Sequence, residues 1–481
     1  MSNSTLKEGS RNLYSLRNRY KKNLKISTKS CSRHASYIER IPFEILLKIL
    51  SYLDPVSLMS AGCVSKQFYD LSNDNVLWYK IYILHKKKTL CWKYDSMYSV
   101  GKGLNDTTIT DREPGYWKKN YISELITATE KRINQILKAA KKHNTFGVPA
   151  NIEKPVKMSA LTWALTFKDI NGKKTVIEQS GITFRDTSLT LCWNSYTWPA
   201  LQTLITLQLH GITRVQNDCL NPRKNGPRKL SLIAEYNLKD FKISSRFVGQ
   251  DSLIKLYYLD PGLMIGLWKK TADIAFVMAT LHYHQLLEKS FWGTTESPYI
   301  FPPHVPVLDD IDSEYGLHGY QLQIDMYSGP RTYFCRTFRG LFCRREYIKN
   351  GYVKMTAIGF KNNRQHAPLV GQVDFLWKTL TFSGSVQNCF MMDVTVLDAL
   401  ETPYWCFCAP VQLQESKCSE TLYDFMGKSF HFEYKDSMGK LCAELNWMRE
   451  TEEYFIINLV LLLNTEKLNS YFGTNYTDSP N

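Results

Sequence analysis

No two of the twelve cysteines form a C-x-x-C pair, and the nearest neighbours, Cys406 and Cys408, have only Phe407 between them. Zinc ribbons and fingers need paired thiolates that chelate from one turn, so that class is excluded. Long hydrophobic runs are also missing. The greasiest stretch, YFIINLVLLL from Tyr454 to Leu463, contains Asn458 and is ten residues long, whereas a bilayer-spanning helix needs about twenty. There is no phosphate-cradling glycine loop ending in Gly-Lys-Ser/Thr, no dinucleotide fingerprint, no G-x-S-x-G and no H-E-x-x-H, which removes the local signatures of nucleotide, hydride, serine-hydrolase and zinc-protease chemistry. No unit repeats at a period of about 20 to 50 residues, which argues against a propeller or solenoid.

Acid is nearly absent from one place. Residues 1–35 hold nine Lys or Arg against the single Glu8, so this segment supplies +8 of the chain's net +15. It has no continuous apolar run and does not read as a signal peptide. Residues 1–37 are expected to be a disordered basic arm, suited to nuclear import, nucleic acid or a presequence, or simply solvated. With no secretory signal, the scattered thiols predict a reduced, intracellular protein, cytoplasmic or nuclear.

What is present is apolar and aromatic: 44% hydrophobic and 13% aromatic over 481 residues, enough for a sizeable packed core. The N-terminal part carries helix signals. In IPFEILLKILSYLDP (41–55) the apolar residues cover an arc of roughly 200°, about twice that of an ordinary surface helix. Such a helix is wrapped by its own protein or keeps one face for another chain. Asp54-Pro55 is an N-cap with proline at N1, Ser65 caps a third helix, and Asn73 or Asp74 a fourth that holds Val76, Leu77, Trp78 and Ile81. Four such helices in about 45 residues bury themselves poorly and usually borrow surface from a partner. Residues 85–115 read as linker, and from Tyr116 to about His143 apolar residues recur at helical spacing between lysines.

From Met158 the texture is β. ALTFKDINGKKTVIEQ is a hairpin around Asn171-Gly172, and SLTLCWNSYTW, LITLQLHGIT, YQLQIDMYS, RTYFCRTF, YVKMTAIGF, VDFLWKTLTF, MMDVTVLD and SFHFEYKDSMGKLCAELNWM read as further strands. DIAFVMATLHYHQLLEKS from Asp273 reads as one interrupting helix, and the Pro-rich 297–306 as a loop that divides two lobes. Candidate chemistry is weak. His282 and His284, at i and i+2 on that helix, diverge too far to share a metal. DDIDSEYG (309–316) starts like a calcium loop but has its glycine one position late and Gln321 where Glu is needed. The basic and aromatic RTYFCRTFRGLFCRREY suits nucleic-acid stacking, although alternating strand faces produce the same mixture.

The helices of 42–84 resemble an F-box. Pro42, Glu44, Ile45, Leu46, Ile49, Leu50 and Leu53 match the family's first block, Leu58 the second, Val64, Ser65 and Phe68 the third, and Leu77-Trp78 the last. Ile41 replaces the usual Leu, Phe68 stands where Trp is common, and Gly62-Cys63 replaces a bulkier pair, so the end of the second helix is expected to pack loosely. GYWKKNYI, YGLHGYQL, KNNRQHAPL and WMRETEEYFIINLVL are similar to one vertebrate member of the F-box-only group. The fold expected is α+β: a small all-helical F-box (38–84), a linker with an amphipathic helix (85–154), and a large, mostly antiparallel β region (155–475) with a few helices, dividing near 295–310 if it has two lobes.

The resemblance implies a non-catalytic substrate receptor of a Skp1–cullin–F-box ubiquitin ligase, without cofactor or metal. Its partners would be Skp1, cullin-1 with its RING subunit, and an unidentified protein substrate held by the β region. Pro42, Ile45, Leu46, Ile49, Leu50, Leu53, Leu58 and Val64 would supply the Skp1 interface or the packing behind it, and Phe68, Leu77 and Trp78 the F-box core. A Skp1-binding protein that builds no ligase has the same F-box, and a nucleic-acid binder using the basic arm is a further alternative.

Overall fold

A computed structural model describes residues 41–91, 112–140, 147–149, 152–214, 228–416 and 428–479. The basic arm and most of the 85–115 linker lie outside these residues. The chain forms two compact units, residues up to Ile126 and from Thr127 onward.

The first unit is helical: α1 (Phe43–Leu50), α2 (Pro55–Ala61), α3 (Lys66–Ser72), α4 (Asn75–Cys91) and residues 116–126 of α5 (Tyr116–Ala140). The caps fall where the sequence puts them. Asp54 accepts the Ser57 N–H, Ser65 accepts the Phe68 N–H at 3.3 Å, and Asp74 accepts those of Val76 and Leu77 at 2.9 and 3.1 Å. Each satisfies a donor that the helix itself leaves unpaired, an arrangement worth about 1 kcal/mol. Burial raises the Asp74 carboxyl above its ordinary range against the pull of those N–H groups. The fourth helix runs on to Cys91, past the expected start of the linker.

The second unit opens with α6 (Glu153–Ser159) and continues with β1 (Thr162–Asp169), β2 (Lys174–Glu178), β3 (Gly181–Phe184), β4 (Ser188–Trp193), β5 (Leu204–Arg214), β6 (Arg228–Asn237), α7 (Phe241–Ser244), β7 (Arg246–Gln250), β8 (Ile254–Leu259), β9 (Leu263–Trp268), β10 (Ile274–His282) and α8 (Leu286–Trp292). After the irregular 297–306 come β11 (Tyr320–Ser328), β12 (Arg331–Leu341), β13 (Tyr352–Ile358), β14 (Ala367–Leu369), β15 (Asp374–Lys378), β16 (Ser383–Gln387), β17 (Cys389–Leu397), β18 (Pro403–Gln412), β19 (Gln414–Glu415), β20 (Ser429–Lys435), β21 (Gly439–Met448), β22 (Glu453–Asn464) and α9 (Thr465–Phe472). The sheets run β2-β1-β5-β6, β3-β4-β10-β9-β8-β7, β12-β11-β17-β18 and β13-β22-β21-β20-β19, with β14 also on β22 and β15-β16 as a separate hairpin. Pairing is antiparallel throughout. The hairpin at Asn171-Gly172 is present, with Gly172 at φ +77° and the Asp169 carboxylate holding the Asn171 and Lys173 N–H groups.

The β3–β10 sheet is buried on both faces. Leu263, Ile265 and Leu267 enter one core together with Trp163, Leu165 and Phe167 of β1, while Met264 between them enters the other, with Met326 and Phe390. Two sandwiches therefore share a sheet. The loop at 297–306 carries no helix or strand, yet Val248, Ile254 and Phe276, which precede it, lie in the same core as Leu441 and Leu461.

The single helix expected from Asp273 is instead strand β10 followed by the short helix α8. A run apolar on all sides, IAFVMATL, fits a buried helix or a doubly covered central strand equally well. Here β4 and β9 flank it and both faces are packed. The strand also takes His282 and His284 off the expected helix. His282 Nδ1 accepts the His284 N–H at 3.1 Å, so Nε2 carries the proton donated to Thr395 Oγ1 at 2.8 Å. Likewise, YFIINLVLLL is the middle of β22, paired with β13 and β21. Among the described residues no helix is long and apolar enough to cross a membrane.

Candidate functional site

The apolar arc of the first helix is split in two. Leu46 and Leu50 are 3% exposed and Leu58 is fully buried, all three in the helical unit's own core with Leu71, Leu77 and Trp78. Ile45 and Ile49 are 53% and 50% exposed, Val64 in the α2–α3 turn 75%, and Pro42 and Tyr52 are exposed as well. At 100° per residue Ile45 and Ile49 lie about 40° apart, with Leu46 and Leu50 about 100° further round. Leu53 and Phe68 are half-buried against the core. The Trp78 indole N–H is held by the Ser72 main-chain oxygen at 2.5 Å, which fixes the end of α3 against α4.

Sequence reasoning missed what completes this core. Tyr121 and Leu125 of α5 are buried in it and Trp117 packs at its side. The Tyr121 ring sits 5.6 Å from Trp78 and 5.4 Å from His85, and Trp117 sits 5.3 Å from Tyr82. Polar ties fix the entry to α5: Asn75 Nδ2 donates to the Arg112 and Glu113 main-chain oxygens, the Gly115 N–H to Asn73 O, and Lys118 to Asn73 Oδ1. The i, i+4, i+8 spacing of Trp117, Tyr121 and Leu125 was visible. The face it covers, about 40 residues away in sequence, was not.

The expected loose packing at Gly62 is not found. Gly62 is buried, and a Cβ there would run into the Ser72 hydroxyl, which is itself anchored to Tyr69 O at 3.0 Å. The small residue lets α2 and α3 close up.

Among the described residues no three His, Cys, Asp or Glu groups are placed to hold a metal. The carboxylates of 309–316 cap their own loop: Asp309 accepts from Ile311 and Asp312 N–H, and Asp312 from Glu314 N–H and from His318 at 2.6 Å. Burial pushes the Cys389 thiol up to about 12 and Cys192 and Cys442 to about 11, far from the thiolate a nucleophile needs.

Residues 38–84 match the F-box-like family. Over 444 residues, 92% of this chain and 86% of the relative, the sequence is 44% identical to F-box only protein 15 of Homo sapiens. The chain belongs to the F-box only protein 15 family. Identity to the family's Bos taurus protein is 40% over 91% of this chain and 94% of the relative, and to the Mus musculus protein 38% over 90% of this chain and the relative's whole length. The family likeness thus runs through both units, F-box and β region alike.

Proposed function

We propose that the chain is the substrate-recognition subunit of a Skp1–cullin–F-box ubiquitin ligase of the cytoplasm or nucleus. The observation that carries this is the exposed apolar strip Pro42, Ile45, Ile49 and Val64 on a helical unit whose core is already complete without it. Leu46, Leu50, Leu58, Leu77 and Trp78 shape the unit from within, and Leu53 and Phe68 border it. Full burial of a large aliphatic side chain is worth about 1.5 to 3 kcal/mol. Half-exposed Ile45 and Ile49 with Val64 would together gain about 3 to 5 kcal/mol against Skp1. In this role the chain acts by binding: by holding a substrate beside a charged conjugating enzyme it would raise the effective concentration of the substrate's lysines.

The test is co-expression with Skp1, cullin-1 and its RING subunit, followed by purification through a tag on this chain. Recovery of all partners supports a receptor. Recovery of Skp1 without cullin-1 indicates an adaptor-binding protein that builds no ligase, and recovery of neither removes the reading.

A further inference from the structure

Outside residues 1–35 the chain carries a net +7, and six of those charges fall within residues 331–354, which hold seven Arg or Lys and only Glu346. The fold gathers this segment around a groove of about 1120 Å³, with residues 337–344 of β12 and the turn after it on one side and 347–357 on the other. Among the described residues four cations line the groove, Arg339, Arg344, Lys349 and Lys354, and no carboxylate does. Arg344 has Glu346 at 3.7 Å with both side chains well exposed, a weak pairing. Arg339, Lys349 and Lys354 make no ion pair among the described residues.

The groove also presents apolar surface and an open strand edge. Phe342 and Tyr347 are more than half exposed on its rim. β12 pairs with β11 alone and β13 with β22 alone among the described strands. The first half of the free β12 edge is occupied, since Val370 N–H donates to Tyr333 O and Arg336 to Gln365 O. In the second half Tyr320 faces Leu341 and Leu322 faces Phe338, so β12 carries an extra residue at Arg339-Gly340. Gly340 has φ +65°, and a Cβ there would meet nothing within 4 Å. A bulge of this kind re-aims the side chains beside it.

We propose that this groove binds an extended acidic segment of a protein, its Asp or Glu carboxylates on Arg339, Lys349 and Lys354 and its intervening side chains on Phe342 and Tyr347. The choice of occupant rests on charge: among the described residues Arg344 alone of the four lining cations has an acidic partner, the exposed Glu346, so the other three attract carboxylates, and an open strand edge suits an extended chain. The assignment rests on the receptor reading, for which it names the substrate class.

The probe is a fluorescein-labelled peptide of about twelve residues alternating Glu with Thr, titrated against the full-length chain. Its Gln-for-Glu counterpart and an oligo-dT of similar length serve as comparators. The expected result is binding about tenfold or more tighter for the Glu peptide than for the Gln peptide, weakening with salt. It is expected to be lost in Arg339→Glu/Lys354→Glu and kept in Lys168→Glu, an exposed cation elsewhere. Arg339→Gln/Lys354→Gln, which removes the charges and keeps most of the bulk, is expected to lose it too, and so separates loss of charge from misfolding caused by charge reversal. Equal affinity for the Glu and Gln peptides, no binding, or binding unchanged in both groove variants overturns the proposal. Tighter binding of oligo-dT overturns it in favour of a nucleic-acid surface, and self-association lost in the groove variants does so in favour of a second copy of this chain. Skp1 capture is read in parallel. Peptide binding by a chain that captures no Skp1 keeps the groove and removes the receptor reading, whereas Skp1 capture without peptide binding does the reverse.

Discussion

Ile45 leaves half of its surface in solvent while Leu46, the next residue, leaves almost none. One step of about 100° around the first helix separates a core residue from an unpartnered one.

Substitution should therefore divide the helix by face. Ile45→Asp/Ile49→Asp is expected to keep the unfolding midpoint close to that of the parent protein, because neither side chain is needed inside. Leu46→Ala is expected to destabilise by about 2 to 5 kcal/mol, since it opens a cavity among Leu58, Leu71 and Trp78. Chemical denaturation of the three proteins reads this directly. Equal destabilisation by both changes would contradict the division.

The F-box should not stand alone. A fragment ending at residue 91 lacks Trp117, Tyr121 and Leu125 and is expected to show helix by circular dichroism without cooperative unfolding. In the full chain Tyr121→Ala is expected to weaken the helical unit by about 3 kcal/mol or more, as for other buried aromatics. A cooperative, parent-like melt of the short fragment would contradict this.

Arg185 ties the shared sheet to β11. Its guanidinium pairs with Asp325 at 3.1 Å, donates to Thr332 Oγ1 and Gly329 O, and lies 3.7 Å over the Tyr327 ring. Burial raises the Asp325 carboxyl even with Arg185 beside it. Arg185→Met strands that carboxylate and is expected to cost about 3 to 5 kcal/mol. Asp325→Leu added to it is expected to recover part of the loss. Urea unfolding of the single and double variants measures both.

His282 should make the β unit acid-sensitive. Burial, with His284 and Lys289 nearby, depresses it to about 3 from an ordinary value near 6.5. A half-buried imidazole that stays neutral binds its proton only in the unfolded chain, so its contribution is complete above about pH 6.5 and declines as pH falls toward 3. At pH 5 the loss is on the order of 2 kcal/mol. His282→Gln is expected to lower stability at pH 7, through the lost Thr395 bond, and to flatten the decline between pH 7 and 5. An unchanged slope in unfolding titrations would contradict this.

Much of this was legible in the sequence because the signals are local. Asp54-Pro55, Ser65 and Asp74 are caps whose partners lie within three residues, and Asn171-Gly172 makes its own turn. The division of the apolar arc was not legible, because Ile45 and Leu46 differ only in what stands opposite them. The β10 strand failed for the same reason: a segment covered on every side shows no period, and its strand character comes from β4 and β9. The docking of Tyr121 on Trp78 spans more than forty residues, beyond the reach of any local pattern.

The most direct measurement is the equilibrium affinity of Skp1 for the parent chain and for Ile45→Asp/Ile49→Asp, both verified as folded by their melts. Tight binding is expected of the parent and a loss of about a hundredfold or more of the variant, the equivalent of roughly 3 kcal/mol. Equal affinity for the two folded proteins would mean that the exposed strip does not face Skp1.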